Sequence, residues 1–247
     1  IDRVCMGGGV GLSVHGSFRI ATERTLVGMP ETTIGLFPDV GGAWFLSRLP
    51  GEMGTYLALT GQPVHASDCL SLGIATHLVA SSSLDEVKEN ILELEPQNIT
   101  FKTIDDLLKT YSIAVDETPV IDLRPQIDSC FAEDRIEQII ENLKKQDNEF
   151  GRQSLELLES KSPTSLKVTL EQIRRGAKAK DFGETMTMEY RMSQHFANGK
   201  DFPEGVRALL VDKDHQPNWT PKLLSEVSEQ EVMNYFKPVA WRELKFF

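Results

Sequence analysis

Met6-Gly7-Gly8-Gly9-Val10-Gly11 is followed by Met29-Pro30-Glu31 and then by Pro38-Asp39-Val40-Gly41-Gly42. A glycine turn and two carboxylates therefore fall close together in the chain, enough to hold a carbonyl and attack or protonate beside it. Consecutive glycines leave amide N–H groups unobstructed. At a helix start, Gly8 N–H could stabilise negative charge developing on an acyl oxygen. Tight packing or a plain turn accounts for such a triplet equally well. Glu31 lies among small and apolar residues, where partial burial would raise its pKa into the acid/base range. Pro30 pins the backbone just before it. The bland alternatives are an N-cap or surface-turn acid for Glu31 and a helix cap for Asp39. Across Gly35 and Pro38 the two acids can fold back into one pocket and divide labour there.

Other chemistries find less support. His15, His65, His77, His195 and His215 are widely spread and lack metal-ligand spacing. No Gly-Lys-Ser/Thr ending follows the glycines, and Ser13 and Ser17 lack the elbow of a serine nucleophile. Cys5, Cys69 and Cys130 read as reduced core or half-buried thiols. With 37 acidic against 26 basic residues, the net charge of −11 argues against nonspecific wrapping of nucleic acid. No apolar run reaches membrane-spanning length.

The elements that must position these residues differ along the chain. Most of the 18 glycines lie within residues 1–80, a region of short strands, tight turns and short helices. Residues 17–22, 25–29 and 74–79 read as strands, residues 42–49, 54–59 and 66–72 as helical pieces, and the small residues of 8–15 as a helix or turn lying close to its neighbour. Strands alternating with short helices imply an α/β arrangement. Beyond residue 83 the pattern is charge-rich and mainly helical. Ser83 with Glu86 suggests a capping box. Ser162-Pro163 and Thr220-Pro221 each suggest a cap followed by a first-turn proline. Ile136, Ile139, Ile140 and Leu143 recur at helical spacing, and residues 95–125 look irregular, like a linker or loop.

Taken together, these motifs resemble the crotonase (enoyl-CoA hydratase/isomerase) superfamily. The matching runs are Met6 to His15, Phe18 to Thr22, Met29 to Gly42 and Leu59 to Gly61. Ser162 to Lys167, Thr187 to Arg191, Asp201 to Ala208, Asp212 to Asp214 and Pro217 to Trp219 continue the likeness over nearly the whole chain. The resemblance implies an α/β fold with a ββα spiral core, N-terminally truncated, followed by a mainly helical C-terminal region. In linear terms it implies a partial catalytic core at 1–80, a connecting segment at 81–125 and the helical region at 126–247. Because the chain opens at Ile1, an upstream strand, a second oxyanion donor and part of the CoA site are expected before it.

Carried over by position, Gly8 corresponds to an oxyanion-hole glycine that also contacts substrate. Glu31 corresponds to the catalytic glutamate, and Asp39 to a second acid touching the acyl group. Gly11 stands where hydratases carry another glutamate, which ranks hydrolysis or decarboxylation above hydration. The implied reaction is hydrolysis of 3-hydroxyisobutyryl-CoA in valine breakdown, with Glu31 as general base or nucleophile. The implied location is the mitochondrial matrix. The alternatives are another crotonase-type isomerase or decarboxylase, or an inactive truncated paralogue. An acyl-CoA substrate is implied, with no metal or other cofactor, no nucleic acid or membrane partner, and self-association of the kind common in the superfamily.

Overall fold

A computed structural model of the chain describes residues 1–114, 117–238, 243, 244 and 246. The elements begin with β1 (Val4–Met6), α1 (Gly8–Ser13), β2 (Ile20–Thr22) and β3 (Leu26–Gly28). A 3-10 turn over Glu31–Ile34 precedes α2 (Gly42–Leu46), α3 (Met53–Thr60), β4 (Val64–His65), α4 (Ala66–Ser71) and β5 (His77–Val79). Helices follow: α5 (Leu84–Leu92), α6 (Phe101–Thr110), α7 (Pro119–Asp122), α8 (Arg124–Phe131) and α9 (Ile136–Lys145). The last are α10 (Glu149–Glu159), α11 (Pro163–Gly176), α12 (Phe182–Ala197), α13 (Asp201–Val206) and α14 (Glu229–Asn234). They group into two compact units, Ile1–Gly28 with Pro63–Asp122 and Met29–Gln62 with Leu123–Phe247.

In the first unit the strands pair in two small sheets. β3 lies parallel to β1, with Cys5 opposite Val27, and antiparallel to β4, with Val27 opposite Val64. β2 lies parallel to β5, with Ala21 opposite Leu78. Ile20–Thr22 and Leu26–Gly28 thus belong to different sheets and do not pair with each other. Gly7, at φ 50°, makes the turn from β1 into α1 and donates its N–H to Gly28 O at 3.1 Å. The buried Ala21, Val27, Cys69, Leu78 and Val79 form the apolar interior of this unit.

Two expectations in this unit are corrected. Ser83 makes no side-chain cap for α5. It is the last residue of a 3-10 turn and sits in the helical region (φ −94°, ψ −4°), whereas a capping residue is extended. Glu86 instead accepts from Tyr111 Oη at 3.1 Å. The stretch expected to be irregular contains α6, capped by Thr100 accepting from Thr103 N–H at 3.1 Å. Leu108 of α6 is fully buried, and Asp105 meets His77 at 3.2 Å. Tertiary burial of one face makes this helix, which composition alone did not display. Residues 115 and 116 of that stretch lie outside the described ones.

The second unit is built on α11. Ser162 is extended and accepts from Ser165 N–H at 3.0 Å, and Pro163 opens the helix, as the sequence suggested. α11 buries Leu166, Val168, Leu170 and Ile173 and packs against α2, α3, α9 and α14. Phe37, Val168, Met192, Phe196, Val227, Val232 and Phe236 join in one buried apolar cluster. The Thr220-Pro221 expectation fails: no helix opens at Pro221, and the next element is a 3-10 turn at Leu224–Glu226. There Glu226 carboxylate accepts from Lys222 and Leu223 N–H, which closes a single turn rather than starting a helix.

Candidate active site

Pro30 and Gly35 bracket the 3-10 turn that carries Glu31. Thr33 N–H donates to Pro30 O at 2.9 Å, and Gly35, left-handed at φ 67°, returns its N–H to the turn. The turn is seated from α13. A Cβ on Gly205 would stand 2.2 Å from Ile34 O, and one on Gly35 would stand 2.6 Å from Asp201 O. Such approach is open only to glycine. Thr32 Oγ1 donates to Leu59 O at 3.3 Å, and the buried ammonium of Lys161 donates to Thr33 Oγ1 at 2.7 Å. Glu31 is thus neither an N-cap nor a surface acid. It is 7% exposed, and its Oε2 is buried without a hydrogen-bond partner among the described residues.

Asp39 sits in a second tight turn. Gly42 N–H donates to Asp39 O at 2.7 Å, with Val40 at φ 51° and Gly41 at φ 84° between them. A β-branched residue at positive φ is a true outlier, of a kind that clusters at functional sites. The Asp39 side chain does not cap α2, and the N–H groups on either side of Gly42 are taken by Glu189 from α12. Gly41 N–H donates to Glu189 Oε2 at 2.7 Å, and Ala43 N–H to Oε1 at 2.9 Å.

The three acids share one buried neighbourhood, and each is pushed toward its neutral form. Burial raises the Glu31 pKa to about 8, and the negative charges of Asp39 and Glu189 add to the rise. Burial also raises Asp39. Glu189 is pushed up to about 7, again chiefly by burial, against the pull of the Ala43 and Gly41 N–H groups. A carboxyl so perturbed is a stronger base than a free one, as general-base work at neutral pH requires. The same burial holds the Lys161 ammonium down to about 8.

Glu31 and Asp39 therefore come together within the second unit. Gly8 belongs to the first unit, where it is exposed and opens α1. As the first helical residue its N–H has no acceptor inside the helix, and a Cβ there would meet nothing within 4 Å. Sequence reasoning missed Glu189, although a signal was present. Thr185, Glu189, Met192 and Phe196 are the buried residues of α12 and recur at helical spacing. A glutamate in the apolar stripe of a helix needs buried donors, and here it has them.

A family model described as enoyl-CoA hydratase/isomerase matches residues 1–236. The chain belongs to the enoyl-CoA hydratase/isomerase family. Among solved structures of such enzymes, it superimposes on a carnitinyl-CoA dehydratase from Mycobacterium thermoresistibile with a TM-score of 0.90. The identity is 37%, over 100% of this chain and 68% of that one. An enoyl-CoA hydratase from Rhodobacter sphaeroides gives a TM-score of 0.86 at 31% identity, over 98% of this chain and 68% of that one. The fold is accordingly crotonase-like, a mixed β core with a helix-rich C-terminal region. The chain is also 46% identical over 251 residues to the mitochondrial 3-hydroxyisobutyryl-CoA hydrolase of Homo sapiens, and 45% identical to that of Rattus norvegicus. In both cases it is covered in full and spans 64% of the relative's length.

Proposed function

We propose that the full-length protein hydrolyses 3-hydroxyisobutyryl-CoA to 3-hydroxyisobutyrate and CoA, in valine breakdown in the mitochondrial matrix. The substrate and the compartment are taken from the relatives named above, which are alike over the whole chain. What carries the chemistry is Glu31, a buried carboxyl with an unpartnered oxygen and a pKa pushed up to about 8. Its carboxylate takes a proton from water as the water oxygen attacks the thioester carbon. The carbon–sulfur bond then breaks, and the departing sulfur is protonated to give CoA. By the family likeness alone, Gly8 N–H is proposed as an oxyanion donor, a part usually worth on the order of 3 kcal/mol of barrier. Asp39, beside Glu31, binds the substrate 3-hydroxyl or orients the water. By the same likeness the protein is expected to self-associate.

Hydration of a double bond is the competing outcome, since the structural relatives are named for hydration and dehydration. Gly11 stands against it, because the second glutamate is lacking there. Free-thiol release from 3-hydroxyisobutyryl-CoA by the full-length protein tests the proposal. Thiol release without water addition to a 2-enoyl-CoA is expected. Addition to the enoyl thioester with no thiol release would contradict it.

A further inference from the structure

We propose that Glu189 is a positioning residue for Asp39, holding the turn that aims the Asp39 carboxyl from a helix far away in sequence. The inference rests on the thioesterase reading above. Val40 is held at φ 51°, a conformation a β-branched side chain resists and keeps only where its surroundings over-determine it. Two buried side chains supply that hold. On one side of Asp39, Gln172 of α11 donates to Pro38 O at 2.7 Å. On the other, the Glu189 carboxylate straddles the turn, accepting from Gly41 at 2.7 Å and Ala43 at 2.9 Å. Gln172 Nε2 also reaches Glu189 Oε1 at 3.4 Å, so the two holds touch each other. Glu189 is 3% exposed, and its carboxylate is held by the N–H groups of Gly41 and Ala43 and by the Gln172 amide. A cap for α2 alone could come from a neighbouring Ser or Asp. A buried carboxylate brought across the unit serves the turn between Pro38, held by Gln172, and Gly41, held by Glu189, which is where Asp39 stands.

The charge of Glu189 also reaches Glu31. Besides Asp39 and Glu189, the charged groups around the Glu31 turn are spoken for. Lys161 is on Thr33, Asp201 of α13 holds Ser162 Oγ and Thr220 N–H, and Glu204 is paired with Arg207. On α11, Lys167 pairs with Glu137, Arg174 with Glu52 and Asp134, and Arg175 with Glu171. Loss of the Glu189 charge therefore makes Glu31 easier to ionise and moves the acid limb of the pH–rate profile to lower pH.

The test is steady-state thiol release by the full-length protein, read as kcat and KM across pH. Wild type, Glu189→Gln, Asp39→Asn and the double variant are compared, with circular dichroism to check folding. Glu189→Gln is expected to slow turnover about tenfold or more, with KM held within about threefold and the acid limb displaced downward. In the Asp39→Asn background the same change is expected to cost less than about threefold. Equal losses in the two backgrounds, or an acid limb that stays put, would overturn the assignment. If Glu189→Gln does not fold, Gln172→Met carries the test from the Pro38 side. There a loss that vanishes with Asp39→Asn supports the hold on the turn, and one that persists overturns it. A wild type that releases no thiol sinks the thioesterase reading and this inference with it. A wild type that does, with additive losses, sinks Glu189 alone.

Discussion

A carboxyl that titrates near pH 8 is mostly protonated at pH 6, so a reaction needing the Glu31 carboxylate slows as pH falls. The expected profile of kcat/KM therefore rises through an acid limb near pH 8. A limb at the ordinary glutamate value would contradict the burial argument. The same shift has a stability consequence of opposite sense. A raised pKa means that the folded chain binds the proton more tightly than the unfolded one. The contribution is fully present below the unfolded value of about 4.5 and is lost as pH rises through about 8. Asp39 and Glu189 act in the same direction. Glu31→Gln, which cannot ionise, should melt at a higher temperature than wild type at pH 8.5 and near it at pH 5. A difference that does not change with pH would show that Glu31 is not buried as described.

Short elements hold the site, so backbone contact matters more at this scale than any single side chain. The Glu31 turn lies on α13 with Gly205 against Ile34 O, where a Cβ would stand 2.2 Å away. Gly205→Ala must push the turn or the helix aside. Overpacking of this kind typically costs about 1–3 kcal/mol. The expected result is a lower urea midpoint together with a fall in turnover, because Glu31 moves with its turn. An unchanged midpoint would mean that α13 and the turn are not in contact. Much of this scale was legible from sequence. Ser162-Pro163 and the Ile136 to Leu143 pattern marked helices because cap and apolar face are local signals. The Ser83 capping box and the Thr220-Pro221 start misled because Glu86 meets Tyr111, Thr220 N–H goes to Asp201, and the N–H groups of Lys222 and Leu223 go to Glu226.

At the scale of the molecule, the motif-rich first forty residues gave the family likeness, and that likeness gave the fold. What local pattern could not give is which distant segments meet. β2 pairs with β5 across more than fifty residues, and Glu189 reaches the Asp39 turn from 148 residues beyond Gly41. Both compact units are likewise assembled from separated stretches. Glu31 and Asp39 stood out because proline and glycine flank them. Glu189 hid in an ordinary helix, and only burial and donor geometry set it apart. The claim on which the chemistry rests is that the Glu31 carboxylate drives thioester cleavage. The most direct measurement is thiol release from 3-hydroxyisobutyryl-CoA by full-length wild type and Glu31→Gln at saturating substrate. Loss of a general base should lower kcat by about 100- to 10,000-fold with substrate affinity retained. A variant that turns over at the wild-type rate would contradict it.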